Sequence, residues 1–88
     1  MSEEPWSIAF TGRADKDMEH LDQTVCRRVA GALDTLAEDP HSGALRKLTG
    51  RSESRLRVGD WRVLLELDDE TQTIVVNRVL PRGRAYDR

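Results

Sequence analysis

Apolar residues recur at helical spacing through the first half of the chain. Successive members are three or four positions apart, which places them on one face of a helix; they are Met18, Leu21, Val25, Val29, Leu33 and Leu36. Asp22 and Thr24 interrupt the run, and either side chain suits a helix N-cap. We therefore predict two helices, over residues 13–21 and 24–38, that form a hairpin or one bent rod. The helical region ends before Pro40, because proline cannot continue a helix.

A short alternating segment precedes the helices. Trp6, Ile8 and Phe10 occupy every second position, so they lie on one face of a first strand over residues 5–10. Thr11 follows directly and is placed to cap the first helix.

Three more strands are predicted after the helices, over residues 54–58, 61–67 and 73–80. Residues 45–50 form a turn or a short extended piece. The last strand is almost continuously apolar, which favours a position inside the sheet. The order β-α-α-β-β-β predicts an α+β fold, in which two N-terminal helices pack on a mainly antiparallel four-stranded sheet. A chain of 88 residues, 38% hydrophobic and 34% charged, is expected to form one domain over residues 1–88.

The segment between the first two of these strands predicts a tight hairpin with an unusual charge pattern. Gly59-Asp60 is a two-residue turn, which sets the register so that Arg57 faces Arg62. Because side chains alternate along a strand, Arg55, Arg57 and Arg62 share one face, while Trp61 lies on the apolar face and is assigned to the core. Like charges directly opposite each other are destabilising. A polyanion or an acidic partner would account for such a face.

Composition argues against several other classes of protein. No apolar run approaches the roughly 18–20 residues of a membrane span. Cys26 is the only cysteine, so we expect neither a disulfide framework nor a cysteine metal site. Cys26 lies within the apolar helical pattern and is interpreted as a buried structural thiol in a cytoplasmic protein. His20 and His41 have no partner at metal-ligand spacing, and both are interpreted as structural or solvated.

The net charge of −2 hides an asymmetry along the chain. Residues 1–42 carry four Lys or Arg against nine Asp or Glu, whereas residues 43–88 carry ten against seven. Because an anion-binding footprint is local, the basic second half still permits a nucleic-acid partner. Taken singly, basic residues outside the hairpin, such as Arg78, are interpreted as solvated surface charges.

These features together resemble the RelE/ParE family of type II toxin–antitoxin toxins. The helical pair, a DP-type loop, the run R-L-R-V-G-D-W-R-V-L-L-E-L-D-D-E, an apolar strand and a terminal R-x-x-x-Y all match. The resemblance covers nearly the whole chain and is most specific over residues 55–69 and 82–86. Toxins of the RelE branch are ribosome-dependent endoribonucleases that cut mRNA in the ribosomal A site. Their chemistry implies no metal or other cofactor, since the 2′-hydroxyl of the target nucleotide attacks the neighbouring phosphate.

The resemblance carries residue roles position by position. Arg55 matches a catalytic lysine or arginine of the first hairpin strand, and Arg62 matches the arginine after the turn aromatic. Arg82 and Tyr86 match the terminal arginine and tyrosine. Basic residues near these positions are expected to bind RNA phosphates; they are Arg57, Lys47, Arg51 and Arg84.

The chain departs from the family pattern at three positions, the first of which is position 55, where arginine in place of lysine is a poor proton donor. Glu53 stands where the best-known members have a second lysine, and it either acts as a base or pairs with Arg55. Pro81 occupies a position often held by histidine.

Three functions remain open on the sequence alone. The chain is a ribosome-dependent mRNA endoribonuclease, a ParE-like inhibitor of DNA gyrase, or a catalytically weakened member that only binds an antitoxin. Each implies a cognate antitoxin, expected as an acidic and apolar segment that covers the basic face and the helix pair in a hetero-oligomer.

Overall fold

The computed structural model describes residues 4–41, 45–47 and 53–81. The elements are β1 (Ser7–Phe10), α1 (Gly12–Glu19), α2 (Gln23–Glu38), β2 (Arg46–Lys47), β3 (Ser54–Val58), β4 (Trp61–Asp68) and β5 (Thr73–Pro81). The two helices and the four longer strands confirm the predicted order. None of the helices in these ranges has the length and apolar character needed to cross a membrane.

Both helices begin at side-chain caps. The Thr11 hydroxyl accepts a hydrogen bond from the Ala14 N–H at 3.2 Å, and an Asp22 carboxylate oxygen accepts one from the Val25 N–H at 2.9 Å. Each cap satisfies a backbone donor that the first helical turn leaves open. The choice left between Asp22 and Thr24 is therefore settled in favour of Asp22.

The sheet has the strand order β1-β5-β4-β3-β2. β1 runs parallel to β5, and all other neighbours are antiparallel, so the predicted mainly antiparallel sheet is confirmed. The apolar strand β5 lies inside the sheet, as its sequence predicted. A fifth strand is added to the predicted four because Arg46–Lys47, within the segment predicted as a turn or short extended piece, pairs with the start of β3.

The helices cover one face of the sheet and form the core with it. The buried helical residues are Ala14, Val29, Leu33, Leu36 and Ala37, and the buried strand residues are Leu56, Val63, Leu65, Ile74, Val76 and Val79. Trp61 packs against this core, as predicted, but it is only half-buried. Its assignment to the core therefore overstated its burial. The buried thiol predicted at Cys26 is also only half-buried, because it lies beside the Val25–Val29 line that faces the sheet.

An ion pair fastens α1 to β5. The Arg78 guanidinium donates from Nε to Asp17 Oδ2 at 2.8 Å and from Nη2 to Oδ1 at 3.2 Å, while the Val79 N–H donates to Oδ2 at 2.9 Å. β1 pairs with β5 only as far as Val76, so the carboxylate supplies an acceptor to the β5 edge beyond the end of β1. The interpretation of Arg78 as a solvated charge is therefore wrong, because sequence spacing does not reveal a partner 61 positions away.

This arrangement changes the acidity of both partners. Burial acts to raise the pKa of the Asp17 carboxyl, but the hydrogen bonds from Arg78 and Val79 and the charge of Arg78 outweigh it and hold that pKa below its ordinary value. The hydrogen bond to Asp17 in turn raises the pKa of Arg78. The pair is thus ionised on both sides at neutral pH.

Candidate functional site

The β3–β4 hairpin has the register that its turn predicted. Val58 pairs with Trp61, Arg57 with Arg62 and Arg55 with Leu64. Gly59 adopts a φ of 60°, a left-handed conformation that L side chains rarely adopt, which explains glycine at the first turn position.

The sheet face opposite the helices carries the candidate site. We call it the outer face, and alternation along the strands assigns to it Glu53, Arg55, Arg57, Arg62, Leu64 and Glu66. Arg46 of β2 lies directly opposite Arg55. Arginine therefore lies opposite arginine in two backbone pairs, Arg46–Arg55 between β2 and β3 and Arg57–Arg62 between β3 and β4.

The two arginines of the second pair differ sharply in burial. Arg57 is exposed, whereas Arg62 is only 2% exposed. The Arg62 guanidinium donates from Nη1 to the carbonyl oxygens of Gly59 at 3.1 Å and Trp61 at 2.9 Å. The prediction that Arg62 shares a strand face with Arg55 and Arg57 is confirmed by the register. The Arg62 side chain is nevertheless folded back over the hairpin turn and does not present its charge on the surface. Backbone carbonyls offset the cost of burying its charge, and this orientation keeps the guanidinium from an exposed position beside Arg57.

Burial leaves one polar atom of Arg62 unsatisfied. Its Nε is buried and has no hydrogen-bond partner among the residues that the structure describes. An unsatisfied buried donor costs free energy, so the two backbone carbonyls offset the burial of this guanidinium only in part.

Glu53 is held by a residue that the sequence analysis missed. Asn77 of β5 donates from Nδ2 to Glu53 Oε2 at 2.9 Å and reaches Glu66 Oε2 at 3.5 Å. The sequence left Glu53 as either a base or a partner of Arg55. The structure adds a hydrogen bond from Asn77 to these two interpretations. The sequence signal for this contact was the single amide side chain, Asn77, inside an otherwise largely apolar strand.

Two of the cavities lined by described residues flank the sheet. One, of about 480 Å³, is lined by Thr11, Gly12, Arg13, Glu53, Asn77 and Arg78. The other, of about 550 Å³, lies at the opposite end of β1 and includes Trp6 and His41. His41 is exposed, with Nε2 3.0 Å from Asp69 Oδ1 and its ring edge-on to Trp6 at 5.7 Å, in agreement with its interpretation as structural or solvated. No three His, Cys, Asp or Glu side chains in residues 4–41, 45–47 and 53–81 are placed to hold a metal ion.

The remaining candidate residues are located only in part. The backbone of Lys47 pairs with Ser54 at the start of β3. Arg51, Arg82, Arg84 and Tyr86 lie outside the described residues. Pro81, which directly precedes Arg82, lies opposite Trp61 at the turn end of the hairpin.

Comparison with known proteins gives matches at the level of family and fold. The model of the ParE toxin of the type II toxin–antitoxin system parDE matches residues 8–86. The RelBE2 toxin–antitoxin complex from Mycobacterium tuberculosis contains a chain with a TM-score of 0.80 and 28% identity, covering 90% of this chain and 100% of that one. The intact RelBE toxin–antitoxin complex of E. coli contains a chain with a TM-score of 0.75 and 26% identity, covering 86% of this chain and 95% of that one.

An archaeal relative extends the fold comparison. The RelE–RelB complex from Pyrococcus horikoshii OT3 gives a TM-score of 0.76 at 24% identity, over 92% of this chain and 99% of that one. At that identity the likeness concerns the fold alone. No curated protein sequence matches the chain.

Proposed function

The chain belongs to the ParE toxin family of type II toxin–antitoxin systems, and we propose that it acts by cutting mRNA in the ribosomal A site. The observation that carries this proposal is the register of the strands, which sets arginine opposite arginine in two backbone pairs, Arg46–Arg55 and Arg57–Arg62, called the arginine rows below. Like charges in register oppose sheet formation. A phosphate backbone laid across the rows would neutralise them, as it does in basic nucleic-acid interfaces.

The proposed chemistry uses guanidinium groups in place of a metal ion. The 2′-hydroxyl attacks the neighbouring phosphate, and negative charge develops on the phosphate oxygens. Arg55 offers forked donors to those oxygens, and Arg57, which is exposed, binds an adjacent phosphate. Preorganised positive charge at the point where anionic charge develops is a large contribution in such reactions.

Arg62 has a distinct part in this proposal. Its bonds to the Gly59 and Trp61 carbonyls hold the guanidinium at the turn, from where its buried positive charge would stabilise the anion that develops on the phosphate. Arg82 is proposed as a further anion-stabilising group. Tyr86 is proposed to stack on a base or to take part in proton transfer. Lys47, Arg51 and Arg84 are proposed phosphate contacts, and the reaction would take place on ribosomes in the cytoplasm.

Inhibition of DNA gyrase is the second candidate function. The family model that matches is that of ParE, whereas the structural neighbours are chains of RelBE toxin–antitoxin complexes. A gyrase inhibitor has no need of Arg55, Arg62, Arg82 and Tyr86 as one set, which is why cleavage of RNA is the preferred proposal.

A cognate antitoxin is the proposed protein partner. The neighbours from Mycobacterium tuberculosis and E. coli are complexes of a toxin with its antitoxin. For this chain we propose an acidic and apolar segment that covers the outer face and the helix pair, where it would exclude RNA and neutralise the arginine rows.

One experiment separates the candidate functions. The chain is induced in bacteria, the 5′ ends of mRNA are mapped, and gyrase-dependent DNA breaks are scored in the same cultures. Cuts at codon boundaries without DNA breaks are expected. DNA breaks without mRNA cuts would instead establish gyrase as the target, and neither signal would indicate an antitoxin-binding member without activity.

The terminal arginines give a matched pair of variants. Arg82→Ala is expected to raise survival after induction at least about tenfold, because a donor to the developing anion is worth about this much or more. Arg88→Ala is expected to leave survival unchanged, since Arg88 matches no functional position. Colony counts after induction measure both, and equal survival of the two variants would remove Arg82 from the site.

A further inference from the structure

A β-bulge in β5 directs Asn77 onto the outer face. Leu64 pairs with Arg78 and Leu65 with Val76, so Asn77 is the extra residue with no partner on β4. A bulge bends its strand and re-aims the side chain of the extra residue. The Asn77 amide thereby reaches across β4 to Glu53, which precedes β3, at 2.9 Å.

The bulge is fixed from the other side by the start of α1. The Thr11 hydroxyl donates to the Asn77 carbonyl oxygen at 3.2 Å, and the Thr11 N–H donates to the Val76 carbonyl oxygen at 3.0 Å. Thr11 is also the N-cap of α1. The orientation of Asn77 therefore depends on the start of α1 and on the end of β1, which Thr11 connects.

Glu53 lies beside the proposed phosphate-binding residues. It is two positions before Arg55 and on the same face, which corresponds to a separation of about 7 Å along the strand. A carboxylate and a guanidinium at this separation can address neighbouring atoms of one nucleotide, a hydroxyl and a phosphate. Glu53 also lines the cavity of about 480 Å³ on this side of the sheet, so space for substrate adjoins it.

We propose that Asn77 is a positioning residue that holds the Glu53 carboxylate as the proton acceptor for RNA cleavage. This inference rests on the proposed function. In the step, the 2′-oxygen forms a bond to phosphorus while its proton passes to Glu53, and the bond from phosphorus to the 5′-oxygen breaks. The 5′-oxygen takes a proton from water, Glu53 later releases its proton to solvent, and the products are a 2′,3′-cyclic phosphate and a 5′-hydroxyl.

The test uses purified toxin, ribosomes programmed with a defined mRNA, and four variants. Asn77→Asp keeps the shape of the side chain but removes the donor; Asn77→Ala is a second variant that also lacks it. Glu53→Gln removes the proton acceptor. Glu66→Gln is the matched control, because Glu66 approaches the same amide only to 3.5 Å and is exposed. Thermal unfolding of each variant is measured in parallel.

The expected results separate positioning from folding. Asn77→Asp and Asn77→Ala lower kcat at least about tenfold and change KM less than about twofold, while Glu53→Gln lowers kcat about 100-fold, as loss of a general base does. Glu66→Gln leaves both parameters unchanged. In the Glu53→Gln background, Asn77→Asp causes no further loss, because the group that it positions is already absent.

Two outcomes would overturn the inference, and they are distinguishable. If the unaltered toxin cuts mRNA but Asn77→Asp lowers kcat by the same factor with and without Glu53, the role of Asn77 is structural and only this inference fails. If the unaltered toxin cuts no mRNA on programmed ribosomes, the proposed function fails with it.

Discussion

Arg62→Ala is expected to slow RNA cleavage at least about 100-fold and to lower the free energy of unfolding by about 2 kcal/mol. The first effect follows from the proposed role of Arg62 as a fixed positive charge near the scissile phosphate. The second follows from the hydrogen bonds of the guanidinium to the Gly59 and Trp61 carbonyls. It also follows from the packing of the aliphatic part of the side chain, since Arg62 is only 2% exposed. A small domain is stable by about 5–15 kcal/mol, so the variant remains folded at 25 °C.

Arg57→Ala is the matched control for this prediction. Arg57 lies directly opposite Arg62 but is exposed, so its loss should change stability by no more than about 0.5 kcal/mol. Urea unfolding measures stability, and cleavage on programmed ribosomes measures activity at a concentration where each variant is folded. Equal unfolding free energies for the two variants would show that the buried orientation of Arg62 has no energetic weight.

Asp17→Asn is expected to lower the free energy of unfolding at pH 7 by about 2–3 kcal/mol. The amide keeps the volume of the carboxylate but leaves Arg78 as a half-buried cation without its bidentate partner, and it weakens the acceptor for the Val79 N–H. Breaking a fully buried pair costs about 3–5 kcal/mol. The side chains of this pair are 29% and 16% exposed for Arg78 and Asp17, so water partly screens the loss and the expected cost is smaller.

The cost of Asp17→Asn is also expected to depend on pH. The pKa of Asp17 is lowered in the folded state, so the unfolded chain binds the proton first as the pH falls. The stabilisation is therefore fully present above the ordinary carboxyl pKa of about 3.9 and is lost as the pH falls through the lower pKa of the folded protein. Urea unfolding from pH 7 to pH 2.5 should show that the free energies of unfolding of Asp17→Asn and of the unaltered protein converge at the acid end.

Glu19→Gln provides the control for the pH dependence. Glu19 is an exposed carboxylate at the end of the same helix, and its replacement should change stability by less than about 0.5 kcal/mol at every pH. A difference between Asp17→Asn and the unaltered protein that stayed constant down to pH 2.5 would contradict the assignment of the pair.

Local chemistry made much of the fold predictable. The caps at Thr11 and Asp22 depend on residues only three positions away, and the hairpin register depends on a two-residue turn. The interior position of β5 followed from its apolar composition alone. Each of these features is set within a short stretch of chain, where spacing along the sequence and distance in space agree.

Side-chain paths and distant contacts were not predictable in the same way. Alternation assigned Arg62 to the correct strand face, but it did not reveal that the side chain turns back to the Gly59 carbonyl. The ion pair of Asp17 with Arg78 joins a helix to a strand late in the chain. Asn77 reaches Glu53 only because a bulge breaks the two-residue period of β5. The candidate site was therefore predictable as a set of charges, but not as a geometry.

The parallel pairing of β1 with β5 has a consequence for the synthesis of the toxin. Ser7 pairs with Thr73, 66 positions further along the chain, so the sheet closes through a contact of high sequence separation. The helix pair and the β3–β4 hairpin can form as each is translated, but β1 has no strand to join until β5 has been made. A nascent chain consequently carries its arginine rows before it has β5, which supplies Asn77, and the proposed site residues Arg82 and Tyr86 that follow β5 in the sequence. We therefore expect the newly made protein to be harmless through most of its own translation, an interval in which an antitoxin can engage it before it acts.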